Sequence, residues 1–415
     1  MVSAPSQTAL HGSRTPRASL IALALALAAA LLIAACGSGS DPGTDSQTPA
    51  GGAAAEAGES AEPPAELSVS SAGWSTDFAT ASVPLNEFLG GGPSKDGIPS
   101  IDDPRFVDID EADDFLEDSE PVALLEVDGV ARAYPIQILT WHEIVNDEIA
   151  GMPVAVTFCP LCNSTVAFSR EVDGRTLEFG TTGNLRNSDL VMYDRETESW
   201  WQQLTAEAIV GELTGTKLEV LPSQIVSWGE LKRLRPEAKV LSRSTGIDRP
   251  YGQNPYTGYD ADPEEQPFLL EDEVSDALAP KERVTSVQFG DGDVVVYPFT
   301  ALEAEAPIND TIGDREAVVF FDPEVGSALD DAVISRSRNV GAAAVFEREV
   351  DGRDLSFEAT DEGGVFADTE TGTLWNMLGE GVSGSLEGEQ LTQIPSDDQF
   401  WFAVAAFFEQ PDIRS

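Results

Sequence analysis

The sequence predicts a mainly β fold with a few short helices, built as two tandem related β-rich units of barrel or sandwich type. Three observations carry that expectation. Short runs of β-branched and apolar residues recur along the 415 residues, closed by turn signals such as Asp128-Gly129 and Asp173-Gly174. Helical periodicity is confined to two short stretches. One sequence pattern is also present twice, as expected of an internal duplication. Tyr134-Pro135-Ile136 through Asn146-Asp147 returns as Tyr297-Pro298-Phe299 through Asn309-Asp310, an offset of 163. Arg170-Glu171-Val172-Asp173-Gly174-Arg175 returns as Arg348-Glu349-Val350-Asp351-Gly352-Arg353. Residues 194–204 (DRETESWWQQL) return as 368–378 (DTETGTLWNML).

Residues 1–36 lie outside both units. Arg14 and Arg17 precede an apolar run from Leu20 to Ile33, and Ala34-Ala35-Cys36 follows. A charged start, an apolar segment short for a membrane span and a small-residue cleavage site ending in Cys read as a lipoprotein signal, with Cys36 lipidated. The expected location is the extracytoplasmic face of the cell membrane, reached through that lipid anchor. Residues 37–73, rich in Gly, Ala, Ser, Pro and acids, read as a disordered tether.

The first repeat is expected over residues 74–243, with an irregular lead-in to about 120. Strands at 122–127 and 130–134 flank the Asp128-Gly129 turn. Pro135 then opens a short amphipathic helix on which Ile136, Leu139, Ile144 and Val145 are apolar and which carries His142. A strand at 154–158 leads into Cys159-Pro160-Leu161-Cys162-Asn163, and 165–168 with 176–179 form a hairpin around Asp173-Gly174. Further strands are expected at 190–193, 209–210 and 218–220, and a helix at Trp228–Leu234. Residues 244–282 link the repeats and set Tyr251, Tyr256 and Tyr259 among Gly, Pro and Asp. A degenerate second repeat fills 283–415.

Charge narrows the function. The chain holds 73 acidic and 24 basic residues, a formal net charge of −49. That balance argues against nucleic acid as a partner and describes a strongly hydrated surface.

The repeat separates scaffold from chemistry. At the 163 offset, His142 falls opposite Glu305, Cys159 opposite Asp322 and Cys162 opposite Val325, while Phe158, Pro160 and Ser164 keep Phe321, Pro323 and Ser327. A fold that one copy builds without a His and two Cys does not need them for folding in the other. With Cys36 assigned to lipid, Cys159 and Cys162 are the remaining cysteines, and His142 is the one His beyond the signal.

In a redox Cys-x-x-Cys the pair ends a strand and opens a helix whose N-terminus stabilises the thiolate. Here residues 163–168 are largely β-branched and apolar, so a strand–turn–strand is expected, like a metal-binding knuckle. Asn163 suits the left-handed position after the second Cys. Two thiolates and the His142 imidazole make a three-ligand set with an open fourth position, soft enough for copper or zinc. A disulfide across so short a gap would constrain almost no chain. A reversible redox pair is the alternative. A lone His on a short helix is ordinarily a satisfied polar residue; joint replacement with both Cys singles this one out. Glu143 ranks below it, as one acid in an acidic chain.

A second candidate is the loop from Gly180 to Asp189. Thr181, Asn184, Arg186, Asn187 and Ser188 form a dense polar set for binding substrate, and Arg186 could hold a carboxylate bidentately. The plain alternative is a turn-rich connection. Repeat two shortens it to residues 358–364 and lacks the Arg. Trp141 and Trp200 read as core first and pocket walls second.

His142-Glu143 with Asn146-Asp147, the run GMPVAVTFCPLCNS at 151–164, and FGTTGNLRNSDLVMYD at 179–194 with Trp200 and Gln202 resemble the uncharacterised family catalogued as domain of unknown function 3179. The resemblance covers residues 120–260 closely and the second repeat distantly. It implies a shared site and no established activity.

The expectation is therefore a lipid-anchored, extracytoplasmic protein binding copper or zinc through Cys159, Cys162 and His142, with the open position serving an unidentified small-molecule or protein substrate or metal delivery. The alternatives are a thiol–disulfide oxidoreductase and a non-catalytic surface binding module. For the anchor, Cys36→Ser should release an unlipidated form. An intact mass showing wild-type chain that starts elsewhere and carries no acyl group would contradict it.

Overall fold

The computed structural model describes residues 66–414 apart from 272 and 291; Cys36, the expected signal and most of the expected tether lie outside the described residues. The described residues are mainly β, with five short α-helices and several sheets, none of them closed into a barrel. No described helix is long and apolar enough to cross a membrane.

The first half is built from three main sheets. Pro121–Val127 and Val130–Pro135 pair antiparallel about Asp128 and Gly129, both at positive φ as a tight hairpin of right-handed twist requires. Ser223–Ser227 extends this sheet on one side; Lys239–Leu241 joins in parallel on the other. A second sheet orders Val220–Leu221, Ser164–Ser169, Met152–Cys159 and Ile144–Ile149. The third orders Phe88–Gly90, Phe179–Arg186, Asp189–Asp194, Trp200–Gln202 and Glu207–Val210.

The second half follows the same order. Asp397–Phe400, Arg283–Phe289, Asp293–Pro298 and Asp412–Ile413 form its first sheet, in which Asp412–Ile413 pairs in parallel as Lys239–Leu241 does in the first half. Ile308–Ile312, Arg315–Asp322, Ala342–Glu347 and Gln393–Ile394 form the second, and Phe357–Ala359, Val365–Asp368, Leu374–Asn376 and Gly381–Ser383 the third.

The residues common to both sequence copies make the same bonds twice. Tyr134 Oη donates to Asp147 and Tyr297 Oη to Asp310. Asn146 exchanges two hydrogen bonds with the Phe179 backbone, as Asn309 does with that of Phe357. Trp201 Nε1 donates to Asp194 at 2.9 Å, Trp375 Nε1 to Asp368 at 3.0 Å. Each device satisfies a buried polar group, which would otherwise cost about 1–3 kcal/mol.

Several expected elements shift. The His142 helix spans Ile136–His142 and stops there, because Glu143 takes φ +59°; Ile144 and Val145 begin a strand instead of closing the helix face. Residues 164–169 pair with Met152–Cys159 rather than with 176–179, leaving only Glu171–Val172 and Arg175–Thr176 around the Asp173-Gly174 turn. The lead-in is not wholly irregular, since Phe88–Gly90 adds an edge strand. Trp228–Leu234 forms as expected, with Ser227 Oγ capping Glu230 N.

Both halves lie in one compact unit and share a core. Phe400 and Phe402 pack in the same cluster as Cys159, Cys162 and Phe158. Residues 244–282 are fastened across the second half: the Asp260 carboxylate, almost wholly buried, meets Arg283 at 2.6 Å and accepts from Ser327 Oγ. Removing one partner from a buried pair of this kind costs about 3–5 kcal/mol.

Candidate metal centre

Cys159 ends the strand Met152–Cys159, and Ser164 opens its partner directly opposite. Four residues must therefore reverse the chain, and Asn163 at φ +56° does so. Ser164 Oγ donates to Gln203 Oε1 at 2.8 Å, and Gln203 Nε2 donates to Thr157 Oγ1 at 3.0 Å, which pins the base of the turn. The strand–turn–strand geometry is the one expected for a knuckle. Both thiols are free and buried.

The turn meets a second tight reversal. Asn187 and Ser188, both at positive φ, join Phe179–Arg186 to Asp189–Asp194. The Ser188 carbonyl faces Cys162 Sγ at 3.5 Å and Cys159 Sγ at 3.9 Å, and Cys162 Sγ donates to Asp189 Oδ1 at 3.4 Å. Cys159, Cys162 and Asp189 thus offer two sulfurs and a carboxylate oxygen all within 4.8 Å, each residue at most 1% exposed. The other Asp189 oxygen, Oδ2, accepts from Gln202 Nε2 at 2.6 Å and Leu204 N at 3.1 Å. Outer partners that occupy one oxygen orient the other, as at metal-ligating carboxylates.

His142 lies elsewhere. Its Nδ1 is 2.7 Å from the Pro99 carbonyl and its Nε2 is 2.6 Å from Tyr251 Oη. A carbonyl only accepts, so Nδ1 carries the proton and the Nε2 lone pair accepts from the tyrosine. Burial lowers its pKa and favours that neutral form. His142 is not in the thiol–carboxylate cluster; it holds Tyr251.

Of the polar loop, Asn184 lines the adjoining cavity and Ser188 reaches the sulfurs through its carbonyl. Thr181 donates to the Ile98 carbonyl, and Asn187 shapes the turn. Arg186 is held by Glu87 at 2.6 Å and lies over Phe407. Trp200 is core, edge-to-face with Trp74, Phe78 and Phe88.

The cavity, about 180 Å³, takes Cys159 and Glu143 in its wall together with Tyr256 and Phe268 from the linker. The tyrosine-bearing segment does lie over the site. Burial, then the charge of Asp189, pushes the Glu143 carboxyl up to about 8. Burial likewise raises Asp189 to about 6, and raises both thiols.

Sequence comparison alone could have found Asp189. The 174 offset that aligns residues 194–204 with 368–378 places Gly363 opposite it, and the 163 offset places Ala306 opposite Glu143. Every thiol and acid of the site is thus replaced in the second half.

A carboxyl that must ionise while buried stabilises the fold below its ordinary pKa near 4.5 and loses that contribution as pH rises through about 8. The thermal midpoint of Glu143→Gln, minus that of wild type, should therefore grow by several degrees from about pH 5 to about pH 9, larger domains moving roughly 2–4 °C per kcal/mol. A difference flat with pH would contradict the burial assigned to Glu143.

Among known sequences, the family described as Protein of unknown function (DUF3179) matches residues 95–411, a span that runs through both halves. No curated protein and no solved structure matches the chain.

Proposed function

The chain belongs to the DUF3179 family, and we propose that it is a metal-binding protein whose ligands are Cys159, Cys162 and Asp189. The observation that carries this reading is the Asp189 carboxylate: one oxygen is fixed by Gln202 and Leu204, and the other is turned to a pair of thiols. Three protein ligands leave a fourth position, and Cys159 borders the cavity on which that position would open. Two thiolates suit zinc or copper, and the carboxylate tilts the set toward zinc, since Cu(I) prefers softer partners. The Asp189 side chain takes the ligand role that sequence reasoning gave to His142.

The oxidoreductase alternative has less support. A catalytic thiol needs a depressed pKa from a helix N-terminus or a nearby cation. Here burial raises both thiols, the charge of Asp189 adds to it, and no helix begins at the turn. As part of the same proposal, the lipid signal ending at Cys36 would place the metal site outside the cytoplasm, at the membrane surface. Nothing in the site favours nucleic acid.

Zinc titration of the reduced, metal-free full chain tests the ligand set. Wild type should bind one equivalent. Outer partners alone are worth 10–100-fold in affinity, so Cys159→Ala, Cys162→Ala and Asp189→Asn should each lose more than about 100-fold, and Gln202→Ala roughly 10–100-fold. His142→Ala should stay near wild type. Equal damage from His142→Ala and Cys159→Ala would return His142 to the ligand set; wild type that binds neither zinc nor copper would end the metal reading.

A further inference from the structure

Glu143 has three features that its place at a helix end does not require. It sits at φ +59°, a conformation that costs a non-glycine residue about 1–3 kcal/mol. The corresponding helix of the second half, Phe299–Glu305, ends at Ala306 with an ordinary φ of −61°, so the strain belongs to the site-bearing half. The side chain is also buried, at 8% exposure, yet no described residue hydrogen-bonds its carboxyl oxygens. It lines the cavity beside Cys159 instead. The carboxyl oxygens open on the cavity space, where water or the polar end of a ligand meets them.

The rest of the cavity defines what such a ligand is. Ile98, Leu185, Leu190 and Phe268 make its walls apolar, while Asn184 and Tyr256 contribute polar groups. No Lys, Arg or His lines it among the described residues. Arg186, which follows Leu185 of the wall, is paired with Glu87. At about 180 Å³ it is smaller than the 300–1,000 Å³ typical of sites for drug-sized ligands. Phe268 at 53% and Leu269 at 39% exposure stand at the cavity as exposed apolar side chains.

We propose that this cavity binds a small, uncharged or cationic molecule with a largely apolar body, whose polar end is received by the Glu143 carboxyl beside Cys159. Anions are disfavoured: phosphates, sulfates and carboxylates find one acid, Glu143, in the wall and no compensating cation. The inference shares Cys159 with the metal reading but does not need the ion. The left-handed backbone at Glu143 turns the side chain from the helix face into the cavity, which a continued helix would not do.

Two alkylating probes of nearly equal size test the charge preference without knowledge of the natural ligand. Iodoacetamide is neutral and iodoacetate is anionic, and both react with the thiolate, so its pKa cancels from their rate ratio. Metal-free, reduced full chain would be labelled at about pH 9, where the carboxyls are ionised, and modification at Cys159 read by peptide mass spectrometry. The amide-to-acetate rate ratio at Cys159 should exceed that of free cysteine by at least about tenfold, because two carboxylates act at short range in a poorly solvated space. Glu143→Gln should bring the ratio several-fold closer to free cysteine. A wild-type ratio within about twofold of free cysteine would overturn the proposal, and needs no variant to be interpreted. So would a ratio unmoved by Glu143→Gln, or no labelling of Cys159 by either reagent, since the cavity would then admit nothing of that size. Loss of zinc binding in the titration above would leave these rates untouched, so the two readings fail separately.

Discussion

The structure turns on a tight chain reversal buried inside the protein. Between Cys159 and Ser164 the backbone reverses within four residues, with Asn163 held left-handed and the strands on either side fully paired. A turn belongs on the surface because its backbone groups need water. This one is roofed by protein instead: Phe400 N donates to the Cys162 carbonyl at 2.8 Å, and Asp397 Oδ1 accepts from Thr165 N at 2.9 Å. In each bond one partner, the Phe400 N–H or the Asp397 carboxylate, comes from the second half. The half that lacks the chemistry therefore helps cover the turn that carries the other half's thiols.

That division explains how two halves with similar strand order can differ so completely in chemistry. The buried Tyr–Asp, Asn–backbone and Trp–Asp bonds recur in both halves because each copy has to satisfy the same polar groups while burying the same sheets. The thiols and acids recur in neither position nor type. Ser327, the counterpart of Ser164, has been turned to a different use, receiving the linker through Asp260. The linker in turn carries Tyr251 to His142, Tyr256 to the cavity and Tyr259 against Phe400. Scaffold, cover and site are thus assembled from three separate stretches of sequence.

Much of this was legible before the structure. The strand–turn–strand around the Cys pair and the left-handed Asn163 follow from β-branched runs and turn chemistry, and the helix at Trp228–Leu234 forms where the sequence places it. The errors have physical causes. Joint replacement of His142 with the cysteines marked a neighbourhood and not a bond: a histidine that positions the cover is lost along with the site it serves. Asp189 is hidden because the loop before it shortens in the second half, so the offset that pairs the cysteines with Asp322 and Val325 does not reach its counterpart. Glu143 reads as one acid among 73 acidic residues, and composition cannot tell a buried carboxyl from a solvated one. Arg186 looked like an anion receptor because its partner, Glu87, lies 99 residues away and in a segment without strong pattern.

X-ray absorption at the zinc edge, on reduced full chain loaded with one equivalent, probes the central claim most directly, because it counts ligand atoms without altering any of them. The account predicts two sulfurs at about 2.3 Å and light atoms at about 2.0–2.2 Å, with none of the outer-ring scattering that an imidazole produces. A spectrum showing an imidazole shell, or fewer than two sulfurs, would contradict a centre built from Cys159, Cys162 and Asp189.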